Sequence, residues 1–225
     1  MPRPTTRLRE PKASTWAFSH VSRICSECGT SPAVRWLIVI ALLIASNVAT
    51  FYVTKKNARP KRHSVESVLA EVRTATGIVM MGDSLVEDAK FPPALCGLQV
   101  VNAGIGGAKS STLLAIADKM QAKPALIVVS VGVNDAEDGA FAAKYSLLLE
   151  TLPRTRIAAV TLAQPGFENI NQAIKIAANE NGAHLIDLGS LKHFKTRDGI
   201  HPVYPSYAEW RERLLDGVRQ ALHCE

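Results

Sequence analysis

Four short blocks of this chain hold residue types that act together in acyl transfer: Gly82-Asp83-Ser84-Leu85, Asn102 to Gly107, Gly132-Val133-Asn134-Asp135 and Asp198-Gly199-Ile200-His201. A serine hydroxyl is a weak nucleophile until a base takes its proton. An imidazole base needs a carboxylate to fix its tautomer, and the oxyanion that forms needs donors already aimed at it. Ser84, His201 and Asp198 suit the first three roles, and Gly107 and Asn134 the last. Any one block occurs in ordinary turns, so the argument rests on the set. This chemistry calls for no metal and no organic cofactor, and neither is expected. The remaining histidines, at positions 20, 63, 184, 193 and 223, stand in no comparable context.

The segments between the blocks must bring them together. Val65, Val68, Leu69 and Val72 recur at helical spacing, and Gly77 to Met81 is an unbroken apolar run that ends in the serine block. Further strands are predicted at Leu98 to Asn102, Ala125 to Val131, Arg156 to Ala163 and His184 to Leu188. Helices are predicted at Ser110 to Gln121, Phe141 to Leu152, Phe167 to Asn181 and Tyr204 to Leu222. Strands that are apolar on both sides and alternate with helices indicate an α/β fold with a parallel sheet covered on both faces. In such sheets ligands bind beyond the carboxyl ends of the strands. Ser84, the glycines at 104 to 107, and Asn134 each follow a different strand, and a loop after the last strand can return Asp198 and His201 to the same edge.

With these motifs in order, Gly77 to Leu222 resembles the SGNH hydrolases, also called the GDSL family of esterases and lipases. The resemblance implies a three-layer α/β/α sandwich with a mostly parallel five-stranded sheet, the flavodoxin-like SGNH fold. It implies Ser84 as nucleophile, His201 as base and Asp198 as its orienting acid. The oxyanion hole would comprise the backbone N–H groups of Ser84 and Gly107 and the side-chain amide of Asn134. Gly107 is chosen over Gly104 or Gly106 because the family pattern Asn-x-Gly-x-x-Gly ends on that glycine. Gly132 and Asp135 are expected to shape their loop. One departure is that Ala108-Lys109 follows the second block, where many members carry an acidic or amide residue. The expected reaction is hydrolysis of an acyl ester, such as an O-acetylated glycan, a lysophospholipid or another small ester, through an acyl-enzyme. Transfer of the acyl group to a glycan is an alternative, as is a non-catalytic anchored binding module that retains the fold.

Charge divides the chain. Residues 1–62 hold eleven Lys and Arg against two acids, a net of +9, whereas the remainder is net −3. The basic balance therefore belongs to the N-terminal segment, and no nucleic-acid partner is expected of the folded domain. Trp36 to Val53 is uncharged, and at ~1.5 Å per helical residue it approaches the ~30 Å hydrocarbon core of a bilayer. The expected organisation is a basic, disordered tail over 1–35, a transmembrane helix over 36–54 that makes the lipid bilayer a partner, a basic tether over 55–63 and an SGNH hydrolase domain over 64–225. Close to the span, Lys55, Lys56, Arg59, Lys61 and Arg62 outnumber Arg23 and Arg35, which favours a cytoplasmic catalytic domain; Arg3, Arg7, Arg9 and Lys12 blunt that count. Cys25 and Cys28 read as half a zinc knuckle, a redox pair or an unliganded pair. Cys96 and Cys224 are expected as free thiols, pairing only in an oxidising compartment.

Overall fold

The apolar run after Thr76 forms β1 (Ile78–Gly82), whose five residues are all buried. It lies at the centre of the sheet in a computed structural model that describes residues 31–57, 63–191 and 194–224. The chain divides between Pro60 and Lys61. In the second unit, α2 (Val65–Val72) precedes β1, and a four-residue helix α3 (Ser84–Glu87) follows it. Next come β2 (Ala94–Leu95), β3 (Leu98–Gly104), α4 (Ser110–Ala117), β4 (Leu126–Ser130), α5 (Phe141–Thr151), β5 (Arg156–Val160), α6 (Glu168–Glu180), β6 (His184–Ile186) and α7 (Tyr204–Leu222).

The sheet runs β2-β3-β1-β4-β5-β6. Five of its strands are parallel, as expected, but β2 adds a sixth, antiparallel strand at the edge. Two residues are too few to leave a period in the sequence. Successive side chains of a strand point to opposite faces, and the core divides accordingly. Val79, Met81, Ile127 and Val129 pack with α2, α4, α5 and α6 through Val72, Leu113, Leu148 and Ile174. Ile78, Met80, Leu126 and Val128 pack with α3 and α7 through Leu85, Val86, Trp210 and Leu214. Both faces are thus covered, and the strands need apolar residues at every position.

The chain leaves β1, forms β3 on one side of it and returns to form β4 on the other. Gly82 is in register with Gly104 on β3 and with Ser130 on β4. The carboxyl ends of these three strands flank the point where the winding reverses, the place where open parallel sheets hold ligands.

Two boundaries differ from expectation. The helix predicted to reach Gln121 stops at Ala117, seven residues before Pro124. The strand predicted to reach Ala163 ends at Val160, although Thr161, Leu162 and Ala163 remain buried. Thr161 still donates its N–H to the Ile186 carbonyl (3.1 Å), and the Asn171 side chain takes over the pairing of Leu162.

In the first unit, α1 (Pro32–Asn57) is helical through the predicted span. Its side chains from Trp36 to Val48 are described, and Ala49 to Thr54 lie outside that description. Among the described residues no helix is long and apolar enough to cross a membrane. The tail over 1–30, with Cys25 and Cys28, and tether residues 58–62 lie outside the described residues, as does His193.

The structure corrects the expectation of two free thiols, since Cys96 and Cys224 form a disulfide. Cys96 and Gly97 turn the hairpin between β2 and β3, both with positive φ (54° and 72°), as a tight primed turn requires. Cys224 follows α7, so the bond fastens the last helix to the amino-terminal edge of the sheet.

Candidate active site

Ser84 begins α3 two residues beyond the end of β1. Asp83 caps that helix, its carboxylate accepting the Leu85 amide at 2.9 Å. Asp83 is only 1% exposed and its other carboxyl oxygen has no partner. Burial consequently pushes this carboxyl up to about 7, against the opposing effects of the Leu85 amide and His201.

Ser84 Oγ lies 3.0 Å from His201 Nε2, although 117 residues separate them. On the other side of the ring, His201 Nδ1 is 2.8 Å from Asp198 Oδ2. An ionised carboxylate can only accept, so Nδ1 carries the proton, Nε2 presents its lone pair, and the Ser84 hydroxyl donates to it. Asp198 also accepts the backbone amides of Ile200 (3.1 Å) and His201 (2.7 Å). The His201 amide and ring hold its carboxyl down to about 2, so it is an anion throughout the working range of an imidazole. Gly199, at φ +85°, lets the backbone fold back so that one carboxylate reaches both the ring and the amide of His201. The rest of the turn is a small hairpin with an antiparallel bridge between Thr196 and Pro202.

The second and third blocks meet at the end of β3. Asn134 Nδ2 donates to the Ala108 carbonyl at 2.9 Å. Its neighbour Asp135, 1% exposed, accepts the Ser110 amide (3.2 and 3.1 Å) and hydroxyl (2.7 Å). Adjacent residues of the third block therefore hold the glycine loop on both sides of Lys109. Asp135, expected to shape its own loop, instead reaches across to Ser110 with its carboxylate, while the Gly132 φ of +143° accommodates the turn into the 3-10 segment Val133–Asp135. Gly107 has φ +77° and is exposed, and a Cβ there would meet nothing within 4 Å.

Some supporting residues escaped the sequence reading. Asn102 donates to the carbonyls of Val86 (2.9 Å) and Ala89 (3.1 Å) while accepting the Gly104 amide (3.0 Å), joining the serine helix to β3. The Tyr207 hydroxyl donates to the Leu85 carbonyl at 2.8 Å, and Gln164 donates to the Ile200 carbonyl at 2.8 Å. His63, which stands in no motif, bonds through its amide to Glu87 (2.7 Å) and through Nδ1 to the Gly104 carbonyl (3.0 Å). Asn102 lies within a motif and could have been suspected from it; the other three carry no local signal.

A cavity of about 170 Å³ opens beside the serine, bounded by Ser84, Asp88, Arg197, His201, Pro202 and Tyr207. A larger groove, of about 770 Å³, lies at the amino-terminal edge among Arg154, Arg156, His184 and His223. It includes none of the four motifs, whereas Ser84 and His201 line the smaller cavity.

The family model for GDSL-like lipases and acylhydrolases matches residues 80–223. A solved structure of a Streptococcus pneumonia protein provisionally named a platelet activating factor is similar, at 20% identity and a TM-score of 0.54, covering 77% of this chain and 98% of that one. An aryl esterase from M. smegmatis is 18% identical with a TM-score of 0.49, over 66% of this chain and 100% of its own. A carbohydrate acetylesterase from Sinorhizobium meliloti is 14% identical with a TM-score of 0.47, over 64% and 99%. No curated protein matches the chain. The first of these likenesses shows the fold; the site rests on the motifs and their geometry.

Proposed function

Because the chain belongs to the GDSL-like lipase/acylhydrolase family, whose members are ester-hydrolysing serine hydrolases, we propose that Ser84, His201 and Asp198 form its catalytic triad and act through an acyl-enzyme. The observation that carries this reading is the continuous line of hydrogen bonds from Asp198 through His201 to Ser84. His201 Nε2 takes the hydroxyl proton as Ser84 Oγ bonds to the ester carbonyl carbon. The carbonyl electron pair moves onto oxygen, where the amides of Ser84 and Gly107 and the side chain of Asn134 receive it. Collapse breaks the ester bond, and the alcohol leaves with the proton from His201. Water, deprotonated by the same imidazole, then releases the acid and restores the serine.

A small cavity with Asp88 and Arg197 on its rim supports a short acyl group carried on a polar alcohol, such as an O-acetylated glycan, over a long-chain lipid ester. Ser84→Ala is expected to abolish hydrolysis of p-nitrophenyl acetate, and retention of full activity would sink the mechanism. Product analysis with an added glycan acceptor distinguishes hydrolysis from transfer.

The proposal extends to the setting of the enzyme. Support for residues 36–54 as a membrane anchor comes from the uncharged run Trp36 to Val53 and from exposed Trp36, Leu37, Leu42, Leu43 and Ile44 on helix α1, an apolar surface that calls for apolar surroundings. The Cys96–Cys224 bond supports a catalytic domain on the oxidising side, against the local charge count, because such bonds persist where thiols are not kept reduced. Protease added to intact cells should remove the domain. Protection until the cells are opened would place it in the cytoplasm.

A further inference from the structure

Gln164 follows β5 and is 3% exposed, an unusual place for an uncharged amide. Its Nε2 donates to the Ile200 carbonyl at 2.8 Å, and its Oε1 is buried without a partner. Burying an amide that satisfies only part of its bonding capacity costs stability. An aliphatic side chain would fill the same space without that penalty, so the retained bond has to do something else.

Its acceptor lies between Asp198 and His201. The other bonds of that turn stay within its own hairpin: Arg197 N–H to His201 O (2.9 Å), Val203 N–H to Lys195 O (2.9 Å), and the amides of Ile200 and His201 to Asp198. Lys195 N–H reaches only to Ser206 Oγ at the start of α7 (2.9 Å). Among the described residues, and apart from the Ser84–His201 contact itself, the Gln164 bond is the one hydrogen bond that fixes residues 196–202 to the segment following β5. Ile200 adds apolar packing, which sets depth without setting direction.

We propose that Gln164 is a positioning residue that aims the Asp198–His201 turn at Ser84 through the Ile200 carbonyl. The proposal rests on the triad reading above. A misplacement of about 1 Å can cost on the order of 100-fold in rate, and the Gln164 bond limits such a shift of the turn.

The test uses the full chain in detergent with Gln164→Leu and, as a second, unbranched replacement, Gln164→Met, whose length matches glutamine. Expected are a 10- to 100-fold fall in kcat on p-nitrophenyl acetate, KM within threefold and a Tm no lower than the parent's. Fluorophosphonate labelling of Ser84 should slow in parallel, and the downfield proton resonance of the His201–Asp198 hydrogen bond should broaden or vanish. The proposal is overturned if either folded variant keeps kcat within twofold, or if kcat falls while labelling and the resonance stay unchanged. Loss of the folded state in both variants would assign Gln164 to stability and overturn it too. These outcomes are separate from failure of the triad, which would appear as activity surviving in Ser84→Ala.

Discussion

Replacing Cys96 and Cys224 by serine separates what holds this domain together from what makes it reactive. The two cysteines are 128 residues apart, so their bond closes a loop that contains most of the catalytic domain. In the chain-entropy model a loop of that length restricts the unfolded state by about 5 kcal/mol, and measured disulfides more often contribute about 2–4. A domain of this size loses about 2–4 °C in Tm per kcal/mol, so the double variant should melt roughly 4–20 °C below the parent. The bond joins the hairpin before β3 to the end of α7, at the sheet edge opposite the triad. Activity at 25 °C should therefore stay within twofold. Urea unfolding of both proteins, with and without dithiothreitol, makes the comparison; the reductant should bring the parent to the variant's midpoint. Unchanged midpoints under all conditions would refute the role of the bond. A loss of kcat in variant that remains folded would refute the separation of the two edges.

Three further outcomes follow from the site. In Asp83→Asn the Leu85 cap can be kept while the charge is removed. Because burial raises the Asp83 carboxyl to about 7, the parent should lose stability as pH rises from 4 through 7, by about 4 kcal/mol at most, and the variant should lose that slope in pH-dependent urea unfolding. Asn134→Ala should lower kcat on p-nitrophenyl acetate by about 10² to 10³ with little change in KM, as loss of one oxyanion donor does; a change in KM alone would move Asn134 to ground-state binding. Ser110→Ala leaves the buried Asp135 carboxylate with the Ser110 amide as its remaining donor, and should cost about 1–3 kcal/mol in thermal unfolding.

What the sequence revealed depended on whether the cause was local. The burial of β1 and β4 on both faces is written into consecutive residues, and β1 begins within a residue of its predicted start. The serine, glycine and asparagine blocks are short motifs attached to strand ends, so their shared edge followed from the order of elements. The pairing of Cys96 with Cys224 had no such trace: their meeting depends on where α7 ends against the β2–β3 hairpin, a property of the assembled sheet. Gln164 shows the same limit from just beyond a predicted strand. The strand predicted over Arg156 to Ala163 ends at Val160, and Thr161, Leu162 and Ala163 stay buried beyond it. Gln164 comes next and donates to the Ile200 carbonyl. Its bond spans 36 residues to a distant turn, and periodicity records which side chains avoid water and not which side-chain amides meet a remote carbonyl.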